Sequence, residues 1–145
     1  SALMRVLLDT NVLISHLLPP AAMSPVGAIM EGLAQEAFVL LVPPDLLVEL
    51  ERVATRKPHL AKRIRPDQLA RLRDTLLAVG ELLPGIEDPF PAVTRDRKDD
   101  YLLTYAFVGA ADYLVTGDDD LLVLRKIGHL IILSPAAFAE LIAHN

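Results

Sequence analysis

The runs MRVLL, FVLLV, YLVT and LIIL are apolar at almost every position, and each is too short to be a helix. A strand that is apolar on both sides has both of its faces covered. Met4–Leu8, Phe38–Val42, Tyr113–Thr116 and Leu130–Leu133 are therefore expected in a parallel sheet sheathed by helices. Between them the apolar spacing becomes helical, over Val12–Leu18, Val26–Glu36, Asp45–Arg56, Pro66–Glu81, Asp99–Ala110 and Pro135–Ala143, with a short turn after Asp118. Alternation of this kind predicts an α/β fold with right-handed connections. The stop signals agree. Pro43-Pro44 ends a strand and leaves Asp45 as a helix N-cap, and Ser134-Pro135 caps the last helix, whose Phe138, Leu141 and Ile142 pack back on the sheet. Pro84–Pro91 reads as a proline-rich loop.

Four carboxylates stand where these apolar runs stop: Asp9, Glu49, Asp100 and Asp118. Ligands of open α/β sheets bind outside the carboxyl ends of the strands, which is where Asp9 and Asp118 fall. Carboxylates brought within a few ångströms do not all stay ionised unless a cation neutralises them, so the pattern points to an acidic metal site for Mg²⁺ or Mn²⁺. Asp9 is followed by Thr10 and Asn11, more polar than a helix cap requires. Glu49 flanks the apolar face Leu46, Leu47, Leu50 and Val53 of its helix. Asp99 and Asp100 open a helix at its positive end, with Asp99 the better N-cap and Asp100 the better inward ligand. Asp118, Asp119 and Asp120 repel one another at a strand end; Asp118 is read as the ligand and Asp120 as an accessory acid. The spacing is not that of a calcium-binding EF-hand loop.

At 145 residues the chain has the size of one domain, expected over 4–145, with Ser1–Leu3 a remnant or a disordered start. No apolar stretch reaches the roughly 20 residues of a membrane helix, and a cytoplasmic protein is expected. The high apolar content of 52 % suggests a homo-oligomer, a dimer or higher. There is no cysteine, which removes disulfides, thiolate catalysis and Cys-type zinc sites, and the four histidines are scattered with no HxxxH spacing, so oxygen ligands are expected rather than a histidine zinc site. The net charge of −5 hides an uneven distribution. From Glu51 to Asp74 the chain has eight arginines and lysines against three acids, a basic arm in which Arg52, Arg56, Arg63 and Arg65 are candidates for holding a phosphodiester backbone.

At these residues the chain resembles the PIN-domain nucleases, and among them the small bacterial toxins of toxin–antitoxin pairs. The resemblance rests on VLLDTNVLIS, the helix LLVELERV, the block DDYLLTYAFVGAADYLVTGDDDLL and the closing ILSPAAFAELI, in that order along nearly the whole chain. It implies a three-layer α/β/α sandwich around a parallel sheet and metal-dependent endoribonuclease activity. It also implies an RNA substrate and a cognate antitoxin as partner. Asp9, Glu49, Asp100 and Asp118 fall on the acidic positions, with Asn11 and Thr116 near the site and Asp120 beyond it; Asp99 exchanges with Asp100 if the alignment shifts by one. By this likeness Asp9 anchors the main ion and Asp100 and Asp118 complete its shell. Glu49 orients a water or holds a second ion.

Two other readings fit some of these features. A PIN-fold binding or assembly module without catalysis would explain the apolar content. An aspartyl-phosphate phosphotransfer protein would also place an acid after its first strand, but the phosphatase pattern wants Asp where this chain has Asn11.

Overall fold

The computed structural model describes residues 3–18, 24–87 and 97–144, with side chains throughout except at 97–99. In chain order the elements are β1 (Arg5–Leu8), α1 (Thr10–Leu17), α2 (Pro25–Ala34), β2 (Val39–Val42), α3 (Pro44–Arg56), α4 (Pro58–Ala61), α5 (Pro66–Val79) and β3 (Glu81–Leu82), then α6 (Arg97–Val108), β4 (Tyr113–Val115), α7 (Asp119–Leu122), β5 (Lys126–Ile127), β6 (Leu130–Leu133) and α8 (Pro135–Ala143). The strands form one sheet in the order β3-β2-β1-β4-β6-β5. Every pairing is parallel except β5 with β6.

Side chains alternate across the sheet, and this sorts the apolar runs into two cores. Val6, Leu8, Leu40, Val42 and Val115 face α1, α2, α3, α5 and α8. Leu7, Leu41 and Leu114, which sit side by side in the register of β2, β1 and β4, face α6 and α7 instead. The result is the expected three-layer sandwich. Burying one such leucine stabilises by roughly 1.5–3 kcal/mol relative to exposure, which is why a charge within any of these runs would be costly.

The sheet departs from the sequence-based expectation at its margins. Two strands of two residues extend it, and β5 runs antiparallel, so the sheet is mixed rather than wholly parallel. The helix expected to continue to Glu81 ends at Val79, because Gly80 turns extended and brings Glu81 beside Leu41. A Cβ at Gly80 would lie 2.5 Å from both the Leu76 carbonyl oxygen and Val42 Cγ2, so only glycine fits this close approach. Arg5 of β1 holds the new strand through its guanidinium, 2.6 Å from Glu81.

Helix starts differ in an instructive way. The cap of α3 is Pro43, which places Asp45 inside the first turn. α6 begins at Arg97, so Asp99 is also within the first turn rather than at the cap, and its side chain lies outside the described residues. The one-turn α4 was not anticipated. Ser134 does cap α8, its hydroxyl accepting from the Ala137 amide at 3.1 Å. Phe138 then packs edge-on against Phe38 and tilted against Tyr113, fixing α8 to the amino-terminal side of the sheet. Of the proline-rich loop, residues 88–91 lie outside the described residues. Among the described residues no helix is long and apolar enough to cross a membrane.

Candidate active site

The chain passes from β1 to β2 on one side and later returns to β4 on the other, so the strand order reverses between β1 and β4. A crevice opens at such a point outside the carboxyl ends of the strands. Asp9 leaves β1 there, its amide donating to the Val115 carbonyl of β4 at 2.9 Å. It occupies the N-cap of α1, and its backbone carbonyl accepts from Val12. The carboxylate itself closes no capping bond. It accepts instead from the Thr116 hydroxyl at 2.7 Å, and that hydroxyl accepts in turn from the Asp118 amide at 3.0 Å. Thr116 is wholly inaccessible, so this short relay fixes the ends of β1 and β4 together.

Asp9 is only 8 % exposed. Burial pushes its carboxyl above the ordinary aspartate range, and the nearby charge of Asp118 pushes the same way. The Thr116 hydroxyl and the amides of Asn11 and Thr10 pull against them without overcoming the shift. An ionised Asp9 is thus held at a cost that added positive charge would relieve. Asp118 is half-buried and caps α7, accepting from the Asp120 amide at 2.9 Å. Asp120 is half-buried beside it, while the side chain of Asn11 points to solvent and contributes through its backbone.

Asp100 is 3 % exposed at the end of the first turn of α6, and its carbonyl accepts from the Thr104 hydroxyl at 2.9 Å. Glu49, on α3, is gripped by Arg52 one turn later, whose Nη2 lies 2.6 and 2.7 Å from the two carboxylate oxygens while Nε donates to Oε2 at 3.1 Å. Sequence reasoning overlooked the side chain that faces several of these groups. Tyr101 is buried next to Asp100 on α6, and burial holds its phenol protonated far above its usual range; the facing Thr10 hydroxyl pulls the other way, while the charges of Asp9, Glu49 and Asp45 add to the rise. The only signal was a tyrosine following an acid in an otherwise aliphatic helix, which reads as core.

The donor chemistry suits a hard divalent cation, since Asp9 is a buried oxygen donor whose charge is disfavoured by its surroundings and by Asp118. Asp9, Thr116 and Asp118 are brought together. Yet among the described residues no three acidic or histidine side chains are gathered closely enough to hold a metal ion. Asp100 and Glu49 stand on the flanking helices rather than in one cluster with Asp9.

The basic arm is placed elsewhere. Arg56 lies about 10 Å along α3 from Glu49, at 1.5 Å per residue, and Arg63 follows on the exposed stretch after α4. Arg65 pairs with Asp67 at 3.1 Å, and Asp67 also takes Arg71 at 2.9 Å. Of the four candidates, Arg52 and Arg65 are therefore engaged within the chain, and Arg56 and Arg63 are exposed.

Comparison with known proteins gives a consistent result. The sequence matches the family described as PIN domain over residues 5–120. No curated protein matches it. Among solved structures it is similar to the crystal structure of VapBC2 from Rickettsia felis bound to a DNA fragment from their promoter, with a TM-score of 0.59 at 17 % identity. That similarity covers 90 % of this chain and 98 % of the other.

Proposed function

The chain belongs to the PIN domain family, and from that premise we propose that it is a divalent-metal-dependent endoribonuclease, the toxin of a toxin–antitoxin pair acting in the cytoplasm. The observation that carries the reading is Asp9, a buried carboxylate kept at the sheet's switch point against its own electrostatic preference and beside a second acid. The proposed unit is residues 4–145, assembled as a homo-oligomer.

In this reading Asp9 and Asp118 hold Mg²⁺ or Mn²⁺, with Asp100 contributing from α6 and Glu49 from α3. The cation supplies Lewis-acid charge, which lowers the pKa of a water and offsets charge growing on the phosphate. The chain's own part is geometric. Thr116 fixes the Asp9 rotamer and the Asp118 backbone at once, and Arg52 fixes Glu49 so that its carboxylate can orient the attacking water. Water oxygen adds to phosphorus, the bond from phosphorus to the leaving ribose oxygen breaks, and a proton passes to that oxygen. The antitoxin is supported by the VapBC2 similarity only as a fold-level analogy.

The test is cleavage of an end-labelled structured RNA by the purified protein with Mn²⁺ or Mg²⁺, against a chelator control. Cutting that stops on chelation is expected. No cutting by folded protein at any metal concentration would favour the second reading, a catalytically silent PIN-fold binding module; the dispersed placement of Glu49 and Asp100 favours that alternative. Exchanging Arg63 and Arg65 for Glu is expected to weaken RNA binding. It should also flatten the slope of log affinity against log salt by about 1.5 if both touch phosphates. An unchanged slope, measured by filter binding, would place the RNA elsewhere.

A further inference from the structure

α3 and α6 lie on opposite faces of the sheet, yet one side chain joins them around its carboxyl edge. Tyr105 of α6 is entirely inaccessible, and its hydroxyl donates to Asp45 Oδ1 in the first turn of α3 at 2.5 Å. The Tyr105 hydroxyl oxygen in turn accepts from the Ile86 amide at 3.0 Å, so the segment after β3 is drawn into the junction. A hydroxyl-to-carboxylate bond of this length is charge-assisted and about twice as strong as a neutral one. Tyr105 also carries Tyr101 edge-on against its ring, centroids 6.2 Å apart.

Asp45 and Glu49 are four residues apart on α3 and so share a face. Both act on Tyr101, as does Asp9 across the crevice. We propose that Tyr105 is a positioning residue: its bond to Asp45 locks α3 to α6 and thereby sets Glu49 opposite Asp9. This deepens the nuclease reading and rests on it. Without the lock, α3 loses its charge-assisted tie to α6, and Glu49 loses its fixed distance to the strand-end acids. A displacement of about 1 Å at a reacting group can cost on the order of 100-fold in rate.

The variant Tyr105→Phe removes the hydroxyl and keeps the ring. It is expected to lower kcat for Mn²⁺-dependent RNA cutting by about 10- to 100-fold. The KM for RNA should stay within about two-fold, because binding energy common to ground and transition states is untouched. Mn²⁺ affinity, read by calorimetry, should weaken. Asp45→Asn keeps the accepting carbonyl oxygen and should retain most of the rate, whereas Asp45→Ala should behave like Tyr105→Phe. In a Glu49→Gln background the Tyr105→Phe loss should disappear, since residues acting through one another do not add.

A merely structural role would lower the melting temperature and leave these readouts unmoved. Equal kcat and Mn²⁺ affinity in wild type and Tyr105→Phe would overturn the proposal while the nuclease reading stands, as would a full loss persisting without Glu49. A wild-type protein that neither cuts nor binds Mn²⁺ would overturn the nuclease reading, and this proposal with it.

Discussion

Asp9→Asn is expected to abolish cutting and, at the same time, to stabilise the metal-free protein. Loss of the carboxylate removes the proposed anchor for the cation, and a fall of at least about 1,000-fold, some 4 kcal/mol of transition-state stabilisation, is the expected scale. The gain in stability follows from the direction of the Asp9 shift. Burial, aided by Asp118, raises its folded pKa above the unfolded value. A group so raised contributes stability below its unfolded pKa, and that contribution is lost as pH rises through the folded pKa. Above its folded pKa the wild type therefore carries a buried charge that it would fold better without, and Asn carries none. Asn also keeps an oxygen able to accept from Thr116. Melting curves without metal should place the variant above the wild type at pH 7, with the gap closing below the aspartate range. Mn²⁺ should raise the wild type by mass action and leave the variant unmoved. A variant that cuts at full rate would remove Asp9 from the site. One that melts lower than the wild type would mean that its contacts, not its charge, decide the balance.

Phe138→Ala should do the reverse, costing stability while sparing chemistry. Phe138 is wholly buried between Phe38 and Tyr113, and it alone of α8 is fully enclosed by the core. Truncating a buried phenylalanine costs roughly 3–5 kcal/mol, from lost burial and the cavity left behind. Against a total stability of about 5–15 kcal/mol the helix would be poorly held, and the melting point should drop by about 10 °C or more. Tyr113 begins β4 and Phe38 precedes β2, so both contacts are at the amino-terminal side of the sheet, away from Asp9 and Asp118. Metal-dependent cutting measured well below the melting point is expected to match the wild type. Urea titration giving a loss under about 1 kcal/mol would show that α8 repacks, as a site able to collapse does.

The central strands were legible because burial on both faces leaves no polar position to interrupt them. β3 and β5 were not: two residues have no periodicity, and Lys126-Ile127 and Glu81-Leu82 read as loop or helix end. β3 exists because Gly80 turns the chain and Arg5 pairs with Glu81, both tertiary events. The strand-end acids were legible for the same reason as the strands. Asp9 and Asp118 do meet, through Thr116, whose placement near the site came from family likeness alone. Tyr101 and Tyr105 were hidden because their rings sit at core positions of α6, and ring spacing says nothing of where a hydroxyl ends. Asp45 was misread as a cap because its real partner is 60 residues away. The Glu49–Arg52 pair was written in the sequence at a helical spacing of three, but only the fold shows it closed, at 2.6 Å.

Both margins of the sheet end in strands of two residues, one of them reversed in direction. A row of unpaired backbone amides and carbonyls is what allows a neighbouring chain to add a strand, and two residues offer almost none. Among the described residues the sheet edges therefore offer little for strand-by-strand stacking of copies. The helical surfaces instead expose Val48, Leu77 and Phe107, and an assembly built on such faces ends in a closed, countable particle when its symmetry closes.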